Sequence, residues 1–167
     1  RPQRNTRRRQ DMARILSAVN DFQANNGGKS PVAIGSDGKA ADKRGDFVEK
    51  YVDETCKLAN NGNGGSIGGT SYSNEYGYEC TGDQFRDPDG SVYSVAYASS
   101  GYFSHYNDDG SLWKVWGHDK GFSQNHIIGI VGMAKCSGDE NEPVVKASGE
   151  SEVAVIYVLE GGAVYCG

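Results

Sequence analysis

The sequence predicts an α+β fold, with one long N-terminal helix lying across an antiparallel sheet of four to six strands. Three observations predict it. Apolar residues recur at helical spacing near the start of the chain, and from Gln84 onward the apolar period changes to two. Four cysteines spread through a glycine-rich sequence supply staples for a loop-rich body with a modest core.

The helix comes first. Met12, Ile15, Leu16, Val19 and Phe22 fall on one stripe and are expected to fix the helix to the sheet, with Arg14 and Asp21 on the opposite side. Asn25-Asn26-Gly27-Gly28 supplies left-handed cap residues, and Pro31 follows. Upstream, Arg4 and Arg8 lie near the line of the stripe while Arg7 and Arg9 point elsewhere. Arginine is costly to bury against a sheet without a partner. The expectation is therefore that above Met12 the helix leaves its own body and projects, as the lower half of a longer helix.

After a polar loop, Asp46-Phe47-Val48-Glu49 resembles a helix start, with Asp46 as cap and Glu49 reaching back. Phe47, Val48, Tyr51, Val52 and Thr55 continue it to Cys56. NNGNGGSIGGTSYSN then reads as a surface loop. In FRDPDGSVYSVAYA, Pro88 suits the first central position of a turn and Gly90 a position needing positive φ. Tyr93, Val95 and Tyr97 share one face of the strand that follows. FSHYNDDGSLWKVW reads as a hairpin turning at Asp109-Gly110. NHIIGIVGMAKC and SEVAVIYVLE are the most apolar strands and are expected at the centre of the sheet, and LEGGAVYC closes with a short hairpin. The chain divides into the helix at 1–25, a loop region with a short helix at 26–84, and the sheet at 85–167, all in one domain.

Cys56, Cys80, Cys136 and Cys166 include no CxxC pair, which argues against zinc and thioredoxin-like chemistry. Two disulfides place the chain outside the cytoplasm. Of three possible pairings, Cys56–Cys80 and Cys136–Cys166 are expected because each closes a local loop. The net charge of -5 is uneven. Residues 1–14 hold six arginines and one aspartate, whereas the remainder holds 11 Lys and Arg against 21 Asp and Glu. A basic collar on a strongly acidic body opposes nucleic-acid binding and favours head-to-tail self-association.

No constellation points to an enzyme, and neither a cofactor nor a metal is expected. Gly64-Gly65-Ser66-Ile67-Gly68 matches a nucleophile elbow in pattern only, because its flanks read as loop. His105, His118 and His126 are spaced too widely for a metal set. Asp87-Pro88-Asp89-Gly90 and Asn107-Asp108-Asp109-Gly110 put oxygen atoms near turns but lack the ligand ladder of a calcium loop.

The chain resembles the extracellular portion of a type IV pilin, particularly the pilins of ultrasmall, host-attached bacteria. The residues that carry the resemblance are RNTRRRQDMARILSAVNDFQANNGGKSP, FRDPDGSVYSV, IIGIVGMAKC and AVIYVLEGGAVYC. It implies a first helix that runs from an apolar, membrane-inserted half into a half packed on the sheet. It also implies subunits that bundle these helices in a filament, and a terminal loop bounded by Cys136 and Cys166 on the filament surface. The apolar helix half and the leader that pilins carry are missing from the sequence, and a truncated chain is the simplest account. The implied function is a structural subunit of a type IV pilus on the bacterial surface, for attachment or twitching motility. Its partners would be further copies, other pilins, the host cell surface and, through the missing helix half, the membrane. Arg4, Arg7, Arg8 and Arg9 would make subunit contacts. The alternative is a minor pilin or pseudopilin that captures DNA or a host glycan on Tyr102, Phe103, Tyr106, Trp113 and Trp116.

Overall fold

A computed structural model describes residues 2–34, 40–42, 47–58, 65–67, 70–72, 77–99, 127–138, 144–149, 151–158 and 164–167. Helix α1 spans Pro2–Asn25. The strands follow as β1 (Ala33–Ile34), β2 (Ala40–Asp42), β3 (Cys56–Leu58), β4 (Gly65–Ile67), β5 (Thr70–Tyr72) and β6 (Gly77–Cys80). Next come β7 (Tyr93–Ser99), β8 (Ile127–Gly132), β9 (Ala134–Cys136), β10 (Val144–Lys146), β11 (Val153–Val158) and β12 (Val164–Cys166).

Proline at the start of α1 costs nothing, because the first N–H groups of a helix have no partner within it. At the other end Gly27 (φ 66°) and Gly28 (φ 81°) take the left-handed conformation. The Gly28 N–H thereby reaches the Gln23 carbonyl at 2.8 Å, satisfying an acceptor that the helix itself leaves open. Met12, Ile15, Val19 and Phe22 are buried in the core, and Leu16 packs against it partly buried.

Six strands form the main sheet, in the order β12-β11-β8-β7-β6-β3. The sheet is mixed rather than antiparallel throughout: β7 and β8 run parallel, with Val95 opposite Ile128. A parallel pair needs a crossover of a dozen or more residues, and residues 100–126 are long enough to be one. The hairpin expected at 103–116 lies outside the described residues. Nor is 26–84 only loop and short helix, since β3 and β6 supply two strands of the main sheet.

Alternate side chains on the central strands meet α1. Tyr93 and Val95 on β7, Ile128 and Ile130 on β8, and Val155 and Tyr157 on β11 share one core with Met12, Ile15, Val19 and Phe22. The opposite positions Ser94, Val131, Ala154 and Ile156 are buried as well. Burial of both faces explains why β8 and β11 read as continuous apolar runs.

The expected second helix is a single π-helical turn, Val48–Val52. Phe47, at its start, makes no side-chain capping bond, and Glu49 pairs with Lys57 rather than reaching back; Asp46 lies outside the described residues. The segment must hand over to β3 at Cys56, so one turn is all that fits. Its aromatic residues are well used: Phe22 meets Phe47 and Tyr51 edge-on, at centroid distances of 5.6 Å and 5.4 Å. Part of the predicted glycine loop is also ordered as a two-stranded ribbon of β4 and β5.

The disulfides are Cys56–Cys80, across β3 and β6, and Cys136–Cys166, between β9 and β12. Each closes a loop whose chain-entropy contribution is about 3.5 kcal/mol. A non-reducing peptide map should recover these two linked pairs. Replacing both cysteines of either pair with alanine should lower the unfolding free energy by about that amount, and an unchanged denaturation midpoint would contradict the assignment.

Candidate functional site: the basic collar and the buried polar network beneath it

The helical stripe does not end at Met12. Arg8 and Asp11 continue it upward, and both are buried, with Arg8 fully inaccessible. The period of the stripe is unbroken while its chemistry changes from apolar to charged. The expectation that the helix leaves its body above Met12 is therefore corrected by one turn. Arg8 is corrected with it, because a side chain wholly inside its own chain offers no surface to a neighbour.

Arg8 can be buried because Asp87 meets it. Arg8 Nη2 donates to Asp87 Oδ1 at 2.8 Å, and Arg8 Nε donates to Asp87 Oδ2 at 3.1 Å. This is the bidentate fork that a planar guanidinium forms with a carboxylate. Arg8 Nη1 donates to Asn5 Oδ1 at 3.0 Å. On the other side the Asp89 N–H donates to Asp87 Oδ1 at 3.0 Å, and the Tyr157 hydroxyl donates to Asp87 Oδ2. With four donors, the carboxylate has no lone-pair direction left over.

The local sequence explains why Asp87 stands there. Asp87-Pro88-Asp89-Gly90 forms a turn closed by the Gly90 N–H on the Asp87 carbonyl at 2.9 Å, with Gly90 at φ 95°. The Asp87 side chain bonds the backbone two residues on, which proline at the next position does not hinder. An Arg86–Val92 bridge then leads into β7. What could be mistaken for a calcium loop is a turn whose first carboxylate is consumed by an arginine.

A second pair lies one turn down the helix. The Tyr93 hydroxyl donates to Asp11 Oδ2 at 2.5 Å, and Arg7 Nε donates to Asp11 Oδ1 at 3.3 Å. The Tyr93 and Tyr157 rings meet edge-on at 5.8 Å and link the two pairs. Burial and the neighbouring carboxylates push both tyrosine hydroxyls far above their ordinary range, so they remain donors. Burial raises the Asp11 carboxyl above its usual value, although the Tyr93 bond and the nearby Arg7 and Arg14 oppose the rise.

Arg14, expected on the side away from the sheet, has its backbone there but turns its guanidinium back. It donates to the Val52 carbonyl from Nε at 3.0 Å and to the Gln84 carbonyl at 3.3 Å. The same group lies 5.4 Å from the centroid of the Phe85 ring.

Above this network Arg4, Arg7 and Arg9 are exposed, with 47% of the Arg7 side chain accessible. The collar is thus three arginines rather than four. Asp11, Asp87, Tyr93 and Tyr157 were not among the residues expected to matter. The only sequence signal for them was the position of Arg8 and Asp11 on the line of the stripe, with the Arg8 partner 79 residues away. Ser66 sits in the β4–β5 ribbon opposite Ser71, not on the strand-to-helix turn that an activated serine needs. His105, His118 and His126, the turn at Asn107–Gly110, and the aromatics Tyr102, Phe103, Tyr106, Trp113 and Trp116 lie outside the described residues. Among the described residues, no helix is long and apolar enough to cross a membrane, and no three His, Cys, Asp or Glu side chains are grouped to hold a metal.

Comparison with protein families, curated proteins and solved structures finds no match to this chain.

The Asp11 carboxyl has a testable consequence. Its folded value lies above the ordinary 3.8, so between the two values the folded chain binds more protons than the unfolded chain. Its contribution to stability is therefore present below pH ~4 and is lost as pH rises through the folded value. Asp11→Asn removes this titration. Its melting temperature relative to wild type should climb as pH rises from about 4 into the mildly acidic range. A difference that stays constant with pH would contradict the burial of this carboxyl.

Proposed function

We propose that the chain is the globular part of a filament subunit of the type IV pilin kind, carried on the bacterial surface and serving attachment or motility. The observation that carries this reading is the division of α1. From Arg8 to Phe22 one side of the helix is committed to the sheet, whereas Pro2–Arg4 and Thr6–Arg7 are exposed. A helix that is fastened below and exposed to solvent above can carry a body while offering its upper end to a neighbour.

Charge supports the same reading. The exposed end presents Arg4, Arg7 and Arg9, and residues beyond 14 carry a net charge of -10. Stacking copies head to tail brings unlike charges together, and such a contact propagates when its rotation does not close. The disulfides suit an extracellular setting. They also fasten the sheet near both edges, at β3–β6 and at β12. In this reading the protein performs no chemistry, and force comes from elsewhere. The ligand-capturing alternative rests on the aromatics at 102–116, which lie outside the described residues.

Gold-labelled antibody raised against the 167-residue chain should decorate thin filaments along their length on cells that express the gene. Diffuse surface label, without filaments, would overturn the reading. Reversing Arg7 and Arg9 to glutamate should cut filament number several-fold. The purified chain should stay folded, because the Arg7 side chain is half-exposed and Asp11 keeps its bond from Tyr93, so the Arg7–Asp11 pair is worth about 1 kcal/mol. Unchanged filaments would remove the collar from the contact but leave the filament itself standing.

A further inference from the structure

Helix α1 is held to the body in two chemically different ways. From Met12 downward the attachment is apolar, through Met12, Ile15, Val19 and Phe22. It is reinforced by Arg14 on the Val52 carbonyl and by Gln23 Nε2 on the Ser151 carbonyl at 2.6 Å. Above Met12 the only buried helix residues are Arg8 and Asp11. Both are polar, and each bonds to a residue remote in sequence: Asp87 in the turn before β7, and Tyr93 at the start of β7. Tyr157 of β11 closes on the same Asp87 carboxylate.

These two attachments respond differently to displacement. Apolar contact weakens gradually as surfaces slide. A bidentate ion pair in a dry site does not, because separating it by an ångström or two deprives a guanidinium and a carboxylate of their counter-charge before water can replace it. The favourable arrangements are then fully engaged or fully hydrated, with little between. Asp87 is prepared for either, since its backbone and side-chain bonds within the turn are independent of the helix.

We propose that Arg8–Asp87, together with Tyr157 and the Asp11–Tyr93 pair, is a latch. Engaged, it holds the stretch of α1 above Met12 on the sheet and fixes the direction of Arg7 and Arg9 relative to the body. Released, it frees Pro2–Asp11, about 15 Å of helix at 1.5 Å per residue, while the helix from Met12 downward and the sheet stay folded. The device would let one body present its basic end either rigidly or as a swinging arm. It is a property of the single chain and does not rest on the filament reading.

Amide hydrogen exchange on the 167-residue chain tests this. Arg8→Gln breaks the fork. Protection of the amides of Thr6–Asp11 should fall about tenfold or more, to that of a frayed helix end. Amides at 16–22 and in β7, β8 and β11 should stay strongly protected and lose no more than the global destabilisation read from urea unfolding of the same variant. Should Arg8→Gln not fold, Tyr157→Phe keeps the ion pair and removes one bond, and the fall at the same amides should be about threefold. In either variant, collapse of protection at 16–22 and in the sheet to the level of Thr6–Asp11 would overturn the latch, as would unchanged protection at Thr6–Asp11.

Discussion

A guanidinium taken fully out of water loses strong hydration, and only an equally buried anion in the right geometry can compensate for it. That requirement, met by Arg8 and Asp87, organises the upper part of this structure. Asp87 must stand at the first position of its turn so that its carboxylate faces the helix. Tyr157 must present its hydroxyl from β11 to complete the same carboxylate. The pair thereby ties three remote parts of the chain to one point: the first helix, the lead into β7, and β11. Replacing such a pair with apolar side chains can be neutral or stabilising, whereas removing one partner is expensive. Together with Arg14 on the Val52 carbonyl and Gln23 on the Ser151 carbonyl, it fastens the helix to the body at fixed points along its axis.

The remaining architecture follows from this placement. With α1 across β7, β8 and β11, the aromatic residues of the π-helical turn close the lower end of the core around Phe22. Arg14 seals the flank by satisfying carbonyls at the end of that turn and before Phe85. The far edge is finished by Gly167, whose N–H and carbonyl both pair with Val155 at 3.0 Å and 2.9 Å. Gly167 also lies so close to Leu16 and Tyr165 that a Cβ there would be 2.7 Å and 2.6 Å from their side-chain atoms. The disulfides then act on the sheet margins, where edge strands of three residues have few hydrogen bonds of their own.

The lower helix was legible because apolar spacing is a local signal: Met12, Ile15, Val19 and Phe22 declare their face without reference to the rest of the chain. The Asp87–Gly90 turn was legible for the same reason, as was the Gly27-Gly28 cap. Arg8 was not. Its position on the stripe was visible, but whether a buried arginine is tolerable depends on a partner 79 residues away, and Asp-Pro-Asp-Gly reads equally well as a solvated turn. The parallel pairing of β7 with β8 was hidden by a similar ambiguity, because period-two strands do not reveal their direction. The segment at 47–52 kept helical spacing, yet its length is set by the strand it must join.

The functional reading inherits the same geometry. In the proposed filament a basic end held against an acidic body would give a stack of copies its direction, and the engaged Arg8–Asp87 pair is what holds that end on the sheet. The most direct test is a double-mutant cycle in urea with Arg8→Met, Asp87→Leu and the combined variant. Each single change should cost about 3–5 kcal/mol by stranding a charge, and the combination should cost well below their sum, leaving a coupling above about 2 kcal/mol. Additive losses with a coupling near zero would mean that Arg8 and Asp87 do not meet, and would contradict the account.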